Sequence, residues 1–211
     1  MQRKTGCLDE FLRSRLDGGG LRVGQVWVVP SGEGVRLSHE DDVGHSGLAV
    51  STDPHEAIQI VRYDDAGKYR PLKTAPNLRR GWRIDLTTRS EILLALDFLY
   101  PGALATAEAD RRNLLEPVDL RRTLARQSGM YAVVRKIDDA QAQALVRNVC
   151  RGDPGCLRRI LWNISSDCAL SESLVEGTLK VPDSVPLICA EACNLLVAAG
   201  RDVVKGKSAE G

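Results

Sequence analysis

No apolar run in this sequence approaches the roughly 20 residues that a membrane-spanning helix needs. Charge of one sign is also missing. The 29 Lys and Arg residues nearly balance 28 Asp and Glu, leaving a formal net charge of +1. A chain so balanced has no global field drawing it to nucleic acid or to an anionic membrane. There is no G-x-x-x-x-G-K loop, no G-x-G-x-x-G turn and no G-x-S-x-G elbow, which removes the common phosphate, dinucleotide and hydrolase signatures. Only three histidines occur, His39, His45 and His55, all far in sequence from the late cysteines. A Cys–His nucleophile pair would therefore have to form through tertiary contact. The opening "MQRKTGCLDEFLRSRL" puts basic residues first, but no apolar core follows them. It reads as an amphipathic helix rather than a secretory signal, so the expected compartment is the cytoplasm.

The 211 residues suit one large domain or two small ones. The first part reads as α+β. "LRVGQVWVV" alternates and is rich in valine, "PSGEG" supplies a turn, and "VRLSH" is the hairpin partner. "DPHEAIQIVRYD" predicts a helix capped at Asp53 with proline at its first position. "DAGKYRPLKTAPNLRRGWRIDL" has no helical period and reads as a long irregular connection. From Thr87 onward the pattern is helical: "TTRSEILLALDFLY" stopped by Pro101-Gly102, then "EPVDLRRTLARQSG", "DDAQAQALVRNVC" and "PLICAEACNLLVAAG". The expected organisation is an α+β domain over 1–86 with a short antiparallel sheet, a mainly helical domain over 87–205, and a loose tail over 206–211.

What the helical part does contain is cysteine. Five of the six, Cys150, Cys156, Cys168, Cys189 and Cys193, fall in the last third, while Cys7 stands apart. In a reducing compartment such clustering points to metal or redox chemistry rather than disulfides. Cys189 and Cys193 are four apart, which on a helix puts both sulfurs on one face. Cys150 and Cys156 flank a Gly-Asp-Pro-Gly turn between a helix end and an expected helix start. Four thiolates suit zinc or an iron–sulfur cluster. The spacings, five intervening residues and then three, are unusual for structural zinc. The residues alone leave two alternatives standing: a metal or cluster site, or buried cysteines acting as small apolar side chains. Cys168 is a possible replacement for one of the four.

Two charged segments invite functional readings. The loop from Tyr63 to Arg83 interleaves Arg62, Lys68, Arg70, Lys73, Arg79, Arg80 and Arg83 with Tyr63, Tyr69 and Trp82. Arginines so placed can pair with phosphate or carboxylate groups. The plainer reading is a solvated loop over aromatic anchors. "SHEDDVGH", with His39, Glu40, Asp41, Asp42 and His45, could bind a divalent cation, but a charged hairpin end accounts for it more simply. Asp64-Asp65 and Asp138-Asp139 read as caps.

"RYDDAGKYRPLKTAPNLRRGW", "LDFLYPGALA" and the late cysteine pairs together resemble the C-terminal half of multidomain sirohydrochlorin-chelatase-like proteins. The resemblance runs from about Cys7 to Arg201. In that family chelatase domains are followed by a small α+β stabilising domain and a helical domain that binds a [4Fe–4S] cluster. The resemblance implies Cys150 and Cys156 as the first ligand pair and Cys189 and Cys193 as the second. The family's second pair tends to read Cys-Pro-Glu-x-Cys; here Ala190 stands for the proline and Glu191 remains. The chelatase portion and its metal-inserting histidines have no counterpart in the sequence, so chelatase activity is not carried over. The implied role is an iron–sulfur protein for electron transfer or redox sensing beside tetrapyrrole or cobalamin-type chelatase metabolism. A separate chelatase or redox protein would be its partner, and the Arg79–Arg80 loop would meet that partner or an anionic tetrapyrrole. The alternatives are a structural zinc or interaction module, and an enzyme with an open iron position.

Overall fold

The computed structural model describes residues 6–69, 77–150, 156–164 and 184–206, with side chains described from Leu8 onward. The chain divides into two compact units. The first holds Met1–Leu115 with Leu179–Leu187, and the second holds Glu116–Thr178 with Ile188–Gly211. Among the described residues no single helix is long and apolar enough to cross a membrane.

The first unit is a sheet with helices on one face. After α1 (Gly6–Asp17) come β1 (Leu21–Val23), β2 (Val26–Ser31), β3 (Gly34–His39), β4 (Ala49–Ser51) and α2 (Glu56–Arg62). Then follow β5 (Trp82–Leu86), α3 (Arg89–Leu99) and α4 (Ala103–Arg111). A late segment, β9 (Ser184–Val185), completes the sheet in the order β4-β5-β3-β2-β1-β9. β1, β2, β3 and β5 run antiparallel in turn, while the two outer strands pair in parallel.

Strand alternation sorts the two faces. Leu21 pairs with Val28, Val28 with Leu37 and Leu37 with Ile84, and all four are fully buried. They pack with Phe11 and Leu12 of α1, Ile60 of α2, Ile92, Leu96 and Leu99 of α3, and Leu104 of α4. The opposite face carries Arg36, Arg83 and Asp85, with both guanidiniums on the one carboxylate at 3.2 and 3.0 Å. β3 and β5 lie so close at their end that a Cβ on Gly34 would overlap the Leu86 carbonyl oxygen. Glycine in a strand marks such an approach. Gly34→Ala is expected to cost about 1–3 kcal/mol, as overpacked sites do, read as a lower denaturant midpoint at unchanged slope.

This packing moves the domain boundary from 86/87 to 115/116. The helices from Arg89 to Arg111 were expected in the helical domain, but they bury Ile92, Ala95, Leu96, Leu99 and Leu104 in the sheet's own core. The physical reason is that an α-helix and a half-polar sheet each have one apolar face to cover. α3 forms where expected, with a reciprocal cap between Thr88 and Glu91. Trp82–Leu86, placed in the irregular connection, is a strand with Trp82, Ile84 and Leu86 pointing inward. α2 starts at Glu56, and Asp53 accepts from the His55 N–H at 2.9 Å instead of capping the helix at its first turn.

The second unit has its own core. β6 (Val118–Asp119), α5 (Leu120–Ala125), a 3₁₀ segment (Gly129–Lys136) and α6 (Asp139–Leu145) come first. α6 runs on into a π-type turn, Val146–Cys150. β7 (Arg159–Ile160) and β8 (Trp162–Asn163) follow, then β10 (Ile188–Cys189) and α7 (Asn194–Val204). Asp119 and Asp138 cap α5 and α6 through their side chains. Leu120, Leu124, Val134, Ala142, Val146, Trp162 and Leu196 fill the interior. Gly200 lets α7 settle against the 3₁₀ segment and its exit, since a Cβ there would stand 2.8 Å from Ile137 Cδ1.

Candidate metal centre

Two local expectations about the cysteines change. Cys189 and Cys193 do not share a helical face, because Cys189 lies in β10 and Cys193 is the residue before the first turn of α7. The helix starts late because Cys193 has extended backbone angles, φ −68° and ψ 162°, the usual geometry of an N-cap. Nor does a helix begin at Cys156; the chain there leads into the strand β7. The Gly-Asp-Pro-Gly turn itself, Cys168 and the 207–211 tail lie outside the described residues, as does the Cys7 side chain.

The segments that carry the four cysteines approach one another in the second unit by a different route. Cys150 closes the π-type turn and is 8% exposed. The Cys156 N–H donates to the Cys150 carbonyl at 3.0 Å, so the two residues lie side by side. Directly after Cys156 the chain forms β7, which pairs in parallel with β10 in the register Ile188 to Arg159 and Cys189 to Ile160. Leu161 N–H donates to the Cys189 carbonyl at 3.0 Å and holds that register. Four residues later Cys193 gives its carbonyl to Val197 N–H at 3.0 Å, while its thiol makes no cap hydrogen bond. The two strands therefore act as the bridge between the pairs.

None of the four cysteines is in a disulfide. Cys189 Sγ donates to the Glu191 carbonyl at 3.4 Å. Burial pushes its thiol above the ordinary value; the Glu191 backbone and the Arg158 guanidinium pull it back, and the nearby Cys156 and Cys193 sulfurs raise it further. Among the described residues no group of three or more His, Cys, Asp or Glu side chains is placed to hold a metal ion.

Whether this donor set fits an iron–sulfur cluster is a matter of its chemistry. Four uncrosslinked thiols, one closed behind the π-type turn and three partly exposed, supply the soft ligands such a cluster takes. The same core that holds Cys150 also holds Trp162, whose Nε1 is buried without a hydrogen-bond partner. The residues fit.

The charged segments fold onto themselves. Arg79 donates to Glu56 at 2.8 Å. Arg80 binds Asp65 through its backbone N–H at 2.7 Å and its guanidinium at 3.3 Å, with Asp41 at 3.8 Å. The Arg80 backbone N–H, with smaller help from its guanidinium, holds the Asp65 carboxyl below its usual range. Tyr63 and Tyr69 meet edge to face at 5.9 Å, and Trp82 donates to the Arg79 carbonyl at 2.5 Å. Arg70 and Lys73 lie outside the described residues. The "SHEDD" stretch is a turn: the His39 ring accepts from Asp41 N–H at 3.1 Å, and Asp42 accepts from Gly81 N–H at 2.7 Å.

Residues 10–111 match the family described as the DR2241 stabilising domain, and residues 112–202 match the 4Fe–4S iron-sulfur cluster binding domain. The junction at 111/112 falls beside the division between the compact units. None of the curated proteins is a significant match. One solved structure is similar over 94% of this chain, at 30% identity and a TM-score of 0.74. It is DR2241 from Deinococcus radiodurans, described as a multi-domain protein with structural similarity to chelatases and two additional novel domains. The chain spans 42% of that protein's length. Along its length the chain therefore matches a DR2241 stabilising domain followed by a 4Fe–4S iron–sulfur cluster binding domain, and its cofactor is a [4Fe–4S] cluster.

Proposed function

We infer that Cys150, Cys156, Cys189 and Cys193 hold the cluster and that the chain carries electrons or reports redox state in the service of a chelatase-type partner. The observation that carries the ligand set is the β7–β10 pairing, which joins the segment after Cys156 to the strand bearing Cys189 within one compact unit. When bound, such a cluster supplies a one-electron couple whose potential depends on net charge, hydrogen bonds to sulfur and exposure. Four thiolate ligands occupy one position on each iron and leave none open for substrate, which favours electron transfer over substrate activation. No residue is assigned a catalytic role.

The link to tetrapyrrole chemistry rests on the likeness to DR2241 and its stated similarity to chelatases. An anionic ligand at the Arg79–Arg80 loop would have to displace Glu56, Asp65 and Asp41, and is not part of the proposal. A cytoplasmic setting agrees with free thiols in the cluster domain. The test is a redox titration of the anaerobically isolated chain. Reversible one-electron reduction with iron retained through repeated cycles is expected. Release of iron on the first reduction, or no redox response between strong oxidant and dithionite, would contradict the electron-carrying role.

A further inference from the structure

We propose that the face of the second unit formed by α5, the 3₁₀ segment and α7 docks an acidic protein that exchanges electrons with the cluster. This rests on the electron-carrying reading above. Residues 120–136 carry five cations, Arg121, Arg122, Arg126, Arg135 and Lys136, and no carboxylate. The whole chain has a formal net charge of only +1, so the charge is concentrated here. Folding turns it outward: Leu120, Leu124 and Val134 enter the core, and all five cations stay exposed. Among the described residues only Arg121 of the five forms an ion pair, with Asp139 at 3.3 Å. Arg135 donates twice to the Gln127 carbonyl, at 2.9 and 2.6 Å, which leaves its charge uncompensated. Asp119 and Asp138, which flank the segment, cap α5 and α6.

An apolar centre sits in this basic field. Met130 is 70% exposed and Tyr131 37%. α5 and α7 both pack against the 3₁₀ segment that carries them. Arg201 of α7 lies over the Tyr131 ring, 5.6 Å from its centroid, with Nη1 3.9 Å from Met130 Sδ. Tyr, Met and Arg are the residue types enriched where proteins meet. A basic face that met only phosphates would have no use for the exposed Met and Tyr, so their contact area favours a protein over nucleic acid. α7 starts directly after Cys193 and reaches Arg201 about 12 Å further on, at the rise of an α-helix. The face is therefore carried by the same helix that Cys193 opens. Electron-transfer encounters are small and steered by charge, which cations around a small apolar centre supply.

The experiment measures binding of fluorescently labelled flavodoxin, a small acidic redox protein, to the full-length holoprotein and its variants. Anisotropy is read from about 20 to about 200 mM salt, a range over which exposed charges become largely screened. R122Q/R126Q removes two charges, R122E/R126E reverses them, and R13E reverses an exposed arginine on α1 of the first unit. Iron content and far-ultraviolet circular dichroism are checked on each sample. Binding is expected to weaken about tenfold with salt, about tenfold in R122Q/R126Q and further in R122E/R126E, while R13E stays near the parent. Should R122E/R126E lose its fold, R122Q/R126Q carries the comparison. No binding at low salt, unchanged binding in R122Q/R126Q, or equal weakening in R13E would overturn the proposal. Tighter binding of a labelled DNA duplex than of flavodoxin would overturn it too and make the face a nucleic-acid surface. A parent that binds flavodoxin yet gives no redox response to dithionite would instead overturn the electron-carrying reading and leave the acidic-protein surface standing.

Discussion

Cys189→Ser and Cys156→Ser chains, purified anaerobically, are expected to retain well under half of the parent's iron and sulfide. Cys168→Ser is expected to retain all of it. A serine hydroxyl is a hard donor that stays protonated at neutral pH, whereas the cluster takes soft thiolate. The loss reaches beyond the ligand itself. β7 and β10 contribute only two residues each, Arg159–Ile160 and Ile188–Cys189. Two-residue strands are far below the length that sustains a sheet by itself. Binding energy at a site absent from the unfolded chain is folding energy. The second unit is therefore expected to open at lower denaturant in these variants, while the first keeps its transition. Full iron in either Cys189→Ser or Cys156→Ser would remove that residue from the ligand set.

Trp82→Ala is expected to destabilise the first unit by about 3–5 kcal/mol, the usual cost of emptying a buried tryptophan site. Trp82 is 2% exposed and opens β5, the strand that lies between β4 and β3. Its ring fills the core beside Ile84 and Leu86, and its indole N–H holds the Arg79 carbonyl. Removing it leaves a cavity and frees the Arg79–Gly81 turn whose backbone is tied to Asp65 and Asp42. Denaturant unfolding followed by far-ultraviolet circular dichroism measures the change. A loss below about 1 kcal/mol would show that the site collapses around the smaller side chain. Because the cysteines lie in the other unit, iron loading is expected to be unaffected.

The sequence showed the strands whose apolar residues alternate, and the helices with a stripe and a cap. "VRLSH" became β3 and Thr88 with Glu91 marked the start of α3, but "LRVGQVWVV", read as one strand, turns back at Gly24-Gln25 and pairs with itself as β1 and β2. Trp82–Leu86 alternates as well, but the glycine and arginines before it masked a five-residue pattern. The family resemblance pointed to the cluster domain that residues 112–202 match. Local pattern misjudged their backbone: "PLICAEACNLL" has a helical spacing of cysteines, yet Ile188–Cys189 pairs with Arg159–Ile160. That pairing is a contact between residues about thirty apart, so no local periodicity reports it. The boundary at 86/87 failed for a related reason. An amphipathic helix shows that it has a face to bury, not which core will take it.

The central claim is that the second unit holds one [4Fe–4S] cluster on four cysteines. The most direct measurement is an ultraviolet–visible spectrum of the anaerobically purified chain, with iron, sulfide and zinc counted on the same sample. The account predicts a brown protein with a broad band near roughly 400 nm and about four irons and four sulfides per chain. A colourless protein with one zinc and no sulfide would contradict it and make the thiols a structural metal site. A metal-free protein that resists anaerobic reconstitution would contradict it as well, and would return Cys150 to the apolar core in which it sits.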